Sequence, residues 1–156
     1  MSEYWSAQIC LNGHIINRTL ETISNSCFCE TCGEITICNC PKCEAQIRGL
    51  FKGGFEFSTD YTRPKFCYNC GKRYPWTEKQ SIAAKKLIDF TDKLSDEEKE
   101  DLKKSIDSLV SEDTDSIVAQ LKYKKYVSKA GVKFAKGIRD ILVDVLSETV
   151  KKTIWE

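Results

Sequence analysis

The stretch Cys29-Glu-Thr-Cys-Gly33, with Cys40-Pro-Lys-Cys43 soon after it and Cys67-Tyr-Asn-Cys-Gly71 further on, decides how this chain is read. Two thiols two residues apart on a tight turn make a zinc knuckle, and a following glycine suits a turn that needs positive φ. A fourth half-site of different spacing precedes them: Cys10-Leu-Asn-Gly-His14, which uses the only histidine in the sequence. Four half-sites make two tetrahedral sites, and closed four-ligand sites are structural. The expected cofactor is two structural zinc ions per chain. Residues flanking the knuckles read as short strands: Gln8-Ile9, Ile15-Ile16, Ile35-Thr36-Ile37 and the alternating Phe55-Glu56-Phe57. Strands around knuckles describe zinc-ribbon hairpins.

Pairing in chain order assigns Cys10, His14, Cys29 and Cys32 to one ion and Cys40, Cys43, Cys67 and Cys70 to the other. A cross-brace, joining first knuckle to third and second to fourth, is the rival. Cys27 and Cys38 remain outside both sets. Each lies two residues from a ligand, and each reads as a small buried hydrophobe or a free thiol rather than a ligand.

The rest of the sequence sets these sites in context. All nine cysteines fall in the first 70 of 156 residues, and the N-terminus MSEYWSAQIC lacks the basic and apolar regions of a secretory signal. Clustered cysteines without such a signal point to metal in a reducing compartment, so a cytoplasmic protein is expected. No apolar run approaches the roughly 20 residues of a membrane span. Lys+Arg 24 against Asp+Glu 23 gives a net charge of +1. Loading one site of three thiolates and an imidazole, and one of four thiolates, with zinc would bring that to about −2. A zinc ribbon that grips phosphates normally carries a basic surplus, which weakens a nucleic-acid reading.

The chain divides into a double zinc-ribbon module, 1–76, and a cysteine-free helical module, 77–156, an α+β arrangement of zinc-stabilised hairpins followed by helices. Thr77-Glu-Lys-Gln80 reads as a capping box, with Ile82, Ala83, Leu87, Phe90 and Leu94 as the apolar face of the helix it opens. Ser95-Asp-Glu-Glu98 is a second capping box, followed by the stripe Leu102, Ile106, Leu109 and Val110. From Ser116 to Arg139 there are seven basic residues and no acidic one. As one helix, this segment places Lys122, Lys125, Lys129, Lys133 and Lys136 in a narrow stripe opposite Val127, Ala130, Phe134, Ile138, Ile141 and Val145. Three readings compete: a solvated face balanced by the acids of 96–101, a docking face for an acidic partner or nucleic acid, and an anionic-membrane contact. Gly131 and Gly137 mark places where such a helix can break or admit a neighbour. The apolar run from Ile138 to Trp155 must be covered, by the preceding helices or by a second copy of the chain.

Catalytic signatures are missing. There is no His-Glu-x-x-His, no Gly-x-Ser-x-Gly, no phosphate loop, and no His-x-Glu paired with Cys-x-x-Cys; Gly53-Gly54 reads as a turn. The expectation is a non-enzymatic adaptor that presents a zinc-held surface to a protein partner and has a tail able to form homo-oligomers. The alternative is a nucleic-acid-binding protein using the face Lys122–Arg139, and membrane association is the weakest reading.

The motifs Cys10-Leu-Asn-Gly-His14, the Cys-x-x-Cys knuckles, Phe66-Cys67-Tyr-Asn-Cys-Gly71 with Tyr74-Pro-Trp-Thr-Glu78, and the ending Arg139-Asp-Ile-Leu-Val-Asp144 through Lys151-Lys-Thr-Ile-Trp155 resemble an uncharacterised bacterial family with a zinc-ribbon-like N-terminal part and a helical tail. The resemblance implies a cytoplasmic bacterial protein. It supports Cys10, His14, Cys29, Cys32, Cys40, Cys43, Cys67 and Cys70 as ligands, and it implies no activity.

Overall fold

Strand β1 (Tyr4–Cys10) runs into the first knuckle and returns as β2 (Ile15–Leu20), the antiparallel hairpin that organises the N-terminal unit. The structure is a computed structural model that describes residues 3–20, 27–53 and 61–156. The opposite edge of β1 is shared. Strand β3 (Thr36–Ile37) pairs with its C-terminal end, Ile9 opposite Ile37, and β4 (Arg48–Phe51) pairs with its N-terminal end, Tyr4 opposite Phe51. All pairings are antiparallel, with irregular register between Tyr4 and Ile9. Gly49 of β4 sits where a Cβ would meet the backbone carbonyl oxygen of Arg18, so the strand admits no side chain there. The expected strand Phe55-Glu56-Phe57 and the second glycine of the Gly53-Gly54 turn lie outside the described residues.

Five helices follow, so the chain is α+β: α1 (Pro75–Phe90), α2 (Asp96–Ser111), α3 (Ser116–Ala130), α4 (Val132–Leu142) and α5 (Glu148–Trp155). The chain separates into two compact units, Met1–Lys79 and Gln80–Glu156, with the division inside α1. None of the helices in the described residues is long and apolar enough to cross a membrane.

In the first unit the core is Ala7, Ile9, Ile47, Tyr74 and Trp76 together with the sulfurs of Cys40 and Cys67. Trp76 is fully buried, stacked on Tyr74 at 4.7 Å, and its indole N–H donates to the Pro64 carbonyl at 2.9 Å. This start of α1 corrects the expected capping box at Thr77. The helix begins two residues earlier, with Pro75 at a position where its missing N–H costs nothing. The Thr77 hydroxyl is buried and donates to the Lys65 carbonyl at 2.9 Å instead of capping.

The expected apolar face of α1 is also rotated. Ser81, Ala84 and Ile88 are buried, whereas Ile82 and Phe90 are exposed, Phe90 at 88%, and the helix stops at Phe90 rather than near residue 94. By contrast α2 forms as its sequence dictates. The Ser95 side chain accepts the Glu98 N–H, Glu98 accepts the Ser95 N–H, and Leu102, Ile106, Leu109 and Val110 are all fully buried.

The basic segment is not one helix. Gly131, at φ 102°, ends α3 and starts α4, a conformation that a side chain would strain. Gly137 lies within α4, where a Cβ would stand 3.2 Å from a Leu87 methyl carbon, so it admits the neighbouring helix closely. Ile138, Leu142, Val145, Leu146, Val150 and Ile154 are buried within the unit itself, and the Trp155 indole donates to the Tyr123 hydroxyl at 3.1 Å. The chain's own helices therefore cover these six side chains, while Val143 of the same run stays exposed.

Two lysines of the basic segment face the acidic start of α2. Lys122 bonds Asp101 at 2.8 Å, Lys129 bonds both oxygens of Glu98 at 2.7 and 2.8 Å, and the Tyr126 hydroxyl donates to Asp101 at 2.7 Å. Both carboxyls are held below their ordinary range, Glu98 by Lys129 and then the Ser95 N–H, Asp101 by Lys122 and then Tyr126. As pH falls, an unfolded chain protonates such groups before the folded one does. The stability these contacts add is complete above the usual carboxyl values, about pH 4, and is lost below them. Acid titration read by helical circular dichroism should show weakening that begins below about pH 4. The slope should be shallower in the Lys122→Met, Lys129→Met double variant, and an identical slope there would detach the effect from these pairs.

Candidate metal centres

Four tight turns bring eight ligand atoms into two groups. In the turn after β1 the Gly13 N–H donates to the Cys10 carbonyl at 2.9 Å, the Cys10 N–H donates to the His14 carbonyl at 3.0 Å, and Gly13 takes φ 95°. The other three turns share one hydrogen-bond pattern. The first cysteine's N–H donates to the carbonyl five residues on (Cys29 to Glu34, Cys40 to Ala45, Cys67 to Lys72), and its carbonyl accepts from the residue four on (Gly33, Glu44, Gly71), all at 2.8–2.9 Å. That last residue is left-handed in each: φ 74° at Gly33, 65° at Glu44 and 73° at Gly71.

Glu44 thus holds a position that glycine fills in the sister turns. An L-residue there costs roughly 1–2 kcal/mol, of which glycine's greater freedom in the unfolded chain returns a part. Glu44→Gly should accordingly raise the stability of the first unit by about 0.5 kcal/mol in thermal unfolding of the metal-loaded protein. A loss of stability would mean that the Glu44 side chain itself supports the turn.

The turns pair in chain order. Cys10, His14, Cys29 and Cys32 form one group, Cys40, Cys43, Cys67 and Cys70 the other, and within each the ligand atoms lie within 4.8 Å of one another. The cross-brace grouping does not form. Distances inside the groups carry chemical information: Cys10 to Cys32 3.7 Å, Cys40 to Cys70 3.8 Å and Cys43 to Cys67 3.6 Å between sulfurs, with His14 Nδ1 3.4 Å from Cys10 and 3.7 Å from Cys29. Disulfide sulfurs would be about 2.05 Å apart. With metal–sulfur bonds of about 2.3 Å and metal–nitrogen bonds of about 2.1 Å, a tetrahedron sets sulfurs about 3.8 Å from each other and about 3.6 Å from nitrogen. Both groups have the dimensions to hold one tetrahedral metal ion each, with Nδ1 as the imidazole donor.

The two centres differ in their surroundings. Cys10 and Cys29 of the first are buried but His14 and Cys32 are exposed. Its outer contacts are polar: the Asn12 amide donates to Cys32 Sγ at 3.4 Å, and Lys79 bonds Asn12 Oδ1 at 3.1 Å and Glu34 at 3.3 Å. Cys40 and Cys67 of the second centre are core residues, and Cys43 and Cys70 pack against that core. Thiolate formation is uneven there. Burial pushes the Cys67 thiol up, but the Cys70 and Asn69 N–H groups, together with hydrogen bonds from the Cys43 and Cys40 thiols, outweigh it and bring the value down to about 6. The Lys72 N–H favours the Cys70 thiolate, but burial and the three neighbouring sulfurs together push it up to about 11. Four thiolates are compatible at this spacing when a cation neutralises them.

Cys27 and Cys38 belong to a repeat that the motif reading passed over. Cys27-Phe-Cys29-Glu-Thr-Cys32 recurs as Cys38-Asn-Cys40-Pro-Lys-Cys43, eleven residues on. In both copies the extra cysteine's carbonyl accepts a backbone N–H across the hairpin, Thr36 to Cys27 at 3.0 Å and Ile47 to Cys38 at 2.9 Å. The Lys65 carbonyl accepts from Tyr74 at 3.0 Å in the equivalent place of the last hairpin. A position that serves equally well as lysine is one of backbone pairing, not of ligation. Cys27 is exposed, whereas Cys38 is half-buried, with its thiol pushed up by burial.

No curated protein and no solved structure matches this chain. A bacterial family described as "Uncharacterized protein conserved in bacteria (DUF2321)" matches residues 3–154, nearly the whole length, and the chain belongs to that family.

Proposed function

We propose that this is a non-enzymatic, cytoplasmic zinc protein in which two structural zinc ions hold an interaction surface for a protein partner. The observation that carries the reading is the pair of closed four-donor groups at tetrahedral spacing. Donor sets of three thiolates with one imidazole, and of four thiolates, suit zinc, and four protein ligands leave no coordination position for a substrate or a reactive water. Persistent thiolates of this kind require a reducing compartment.

The surface held by the first unit has the composition of an interface. The Arg48 guanidinium lies between the rings of Tyr68, at 3.9 Å, and Tyr4, at 4.5 Å. Phe51, half exposed, packs on Tyr4, and Lys52 lies over Trp5. Arginine and aromatic residues are the types enriched at protein–protein contacts. The competing nucleic-acid reading through Lys122–Arg139 is weakened because Lys122 and Lys129 are already paired with Asp101 and Glu98, and because Gly131 interrupts the stripe.

Native mass spectrometry under reducing conditions tests the metal content. Two zinc ions per chain are expected, both removed by chelation. One zinc, or iron in the four-cysteine group, would overturn the assignment.

A further inference from the structure

Within the helical unit, α3, α4 and α5 enclose an open groove of about 510 Å³. Its apolar lining comes from Tyr123, Val127, Val132, Ala135, Ile154 and Trp155. Its rim is basic, Lys124, Lys136 and Arg139, and Glu156 is the acid among the residues that line it.

The groove continues an exposed apolar strip. Ile117 is 73% exposed and Leu121 65%, and with Lys124 and Ser128 they fall at helical spacing on one face of α3. From Ile117 to Ser128 that face is about 16 Å long. Surface patches of this kind, apolar at the centre and charged at the edge, mark docking sites.

We infer that this groove and strip bind an acidic amphipathic α-helix of a protein partner, the partner's apolar stripe lying over Leu121 and Val132 and its carboxylates against Lys124, Lys136 and Arg139. The inference goes beyond the zinc-held surface proposed above, because every residue that lines the groove belongs to the helical unit Gln80–Glu156. The charge of the rim selects the occupant. Of the seven basic residues between Ser116 and Arg139, Lys122 and Lys129 are taken by α2, whereas Lys124, Lys125, Lys133, Lys136 and Arg139 form no ion pair among the described residues. Three of those five ring the groove. The length of the strip selects a helix over a small molecule, which would fill the groove and leave Ile117 and Leu121 uncovered. Helix-in-groove recognition of this form uses apolar anchors three and four residues apart.

The test uses the full zinc-loaded chain and two labelled peptides of equal length. One is a designed amphipathic helix with Leu at three- and four-residue spacing and Glu elsewhere, and the other carries Lys for each Glu. Fluorescence anisotropy should show the Glu peptide binding in the range of about 10 μM, and the Lys peptide at least tenfold more weakly. Lys124→Glu with Lys136→Glu should weaken the Glu peptide about tenfold, Leu121→Gln should weaken it severalfold, and Lys104→Glu, on α2 and outside the groove lining, should not. Circular dichroism establishes that each variant is folded. Equal binding of both peptides, no effect of the groove variants, no saturation by about 1 mM, or displacement of the Glu peptide by anionic phospholipid vesicles would each overturn the inference. Metal counted on the same sample separates the two readings: failed peptide binding with two zinc ions retained removes the groove alone, and missing zinc removes the metal assignment.

Discussion

With a zinc ion in each group, as proposed, chelation is expected to unfold Met1–Lys79 and to leave the helices of Gln80–Glu156 standing. Among the described residues, few apolar side chains hold the first unit: its core cluster is Ala7, Ile9, Ile47, Tyr74 and Trp76 with the Cys40 and Cys67 side chains. Units of this size bury too little surface to be stable by themselves, and structural zinc contributes on the order of 10 kcal/mol or more to small zinc domains. That matches the roughly 5–15 kcal/mol by which whole domains are stable, so its removal leaves the first unit with nothing to spare. The second unit has a different source of stability, its buried α2 stripe and the apolar faces of α3, α4 and α5. A chelator titration followed at two signals tests the difference. In a Trp155→Phe background, where the tryptophans are Trp5 and Trp76 of the first unit, the tryptophan near-ultraviolet dichroism should collapse with zinc loss, while the helical band keeps most of its amplitude. A parallel loss of both signals, or survival of the aromatic signal without metal, would show that the metals do not hold the first unit.

How much of this was legible in the sequence depended on the range of the interaction. Knuckle chemistry is local, so the spacing of Cys29 and Cys32, or of Cys10 and His14 around Gly13, already states which atoms a turn brings together. The capping box at Ser95 and the stripe from Leu102 to Val110 are legible for the same reason, because a helix imposes its own period. The start of α1 was not. Thr77 carries the capping pattern, yet its hydroxyl goes to Lys65, twelve residues away, because the Trp76 anchor fixes an earlier start for the helix. Packing likewise chose Ala84 and Ile88 over Ile82 and Phe90, since which face is buried depends on what arrives to cover it. The basic stripe on 116–139 assumed an unbroken helix, and a single glycine at φ 102° overrode that period. The function of Cys27 and Cys38 was within reach, through the eleven-residue repeat rather than through any ligand count.

The two centres should respond unequally to loss of one ligand. Cys67→Ser or Cys40→Ser removes a thiolate from a group whose side chains are themselves part of the core, beside Ile47, Tyr74 and Trp76. The hydroxyl is a poor zinc ligand, and the three thiolates left behind are partly buried without a full complement of charge. The expected result is loss of the second zinc and unfolding of most of the unit, a cost of several kcal/mol against its whole stability. Cys32→Ser should be milder. It strikes the exposed side of the first centre, next to solvent and to the polar set Asn12, Lys79 and Glu34, where water can solvate the side chains left behind. One zinc should be lost there with the Tyr74–Trp76 stack intact. Cys27→Ser should retain both ions, because what the hairpin uses at that position is the carbonyl that accepts from Thr36 and not the thiol. Native mass spectra and thermal unfolding of the three variants decide the matter. Equal zinc loss from Cys27→Ser and Cys32→Ser would break the ligand assignment. A core that survives Cys67→Ser with one zinc would show that the aromatic stack, rather than the four-cysteine centre, holds the unit together.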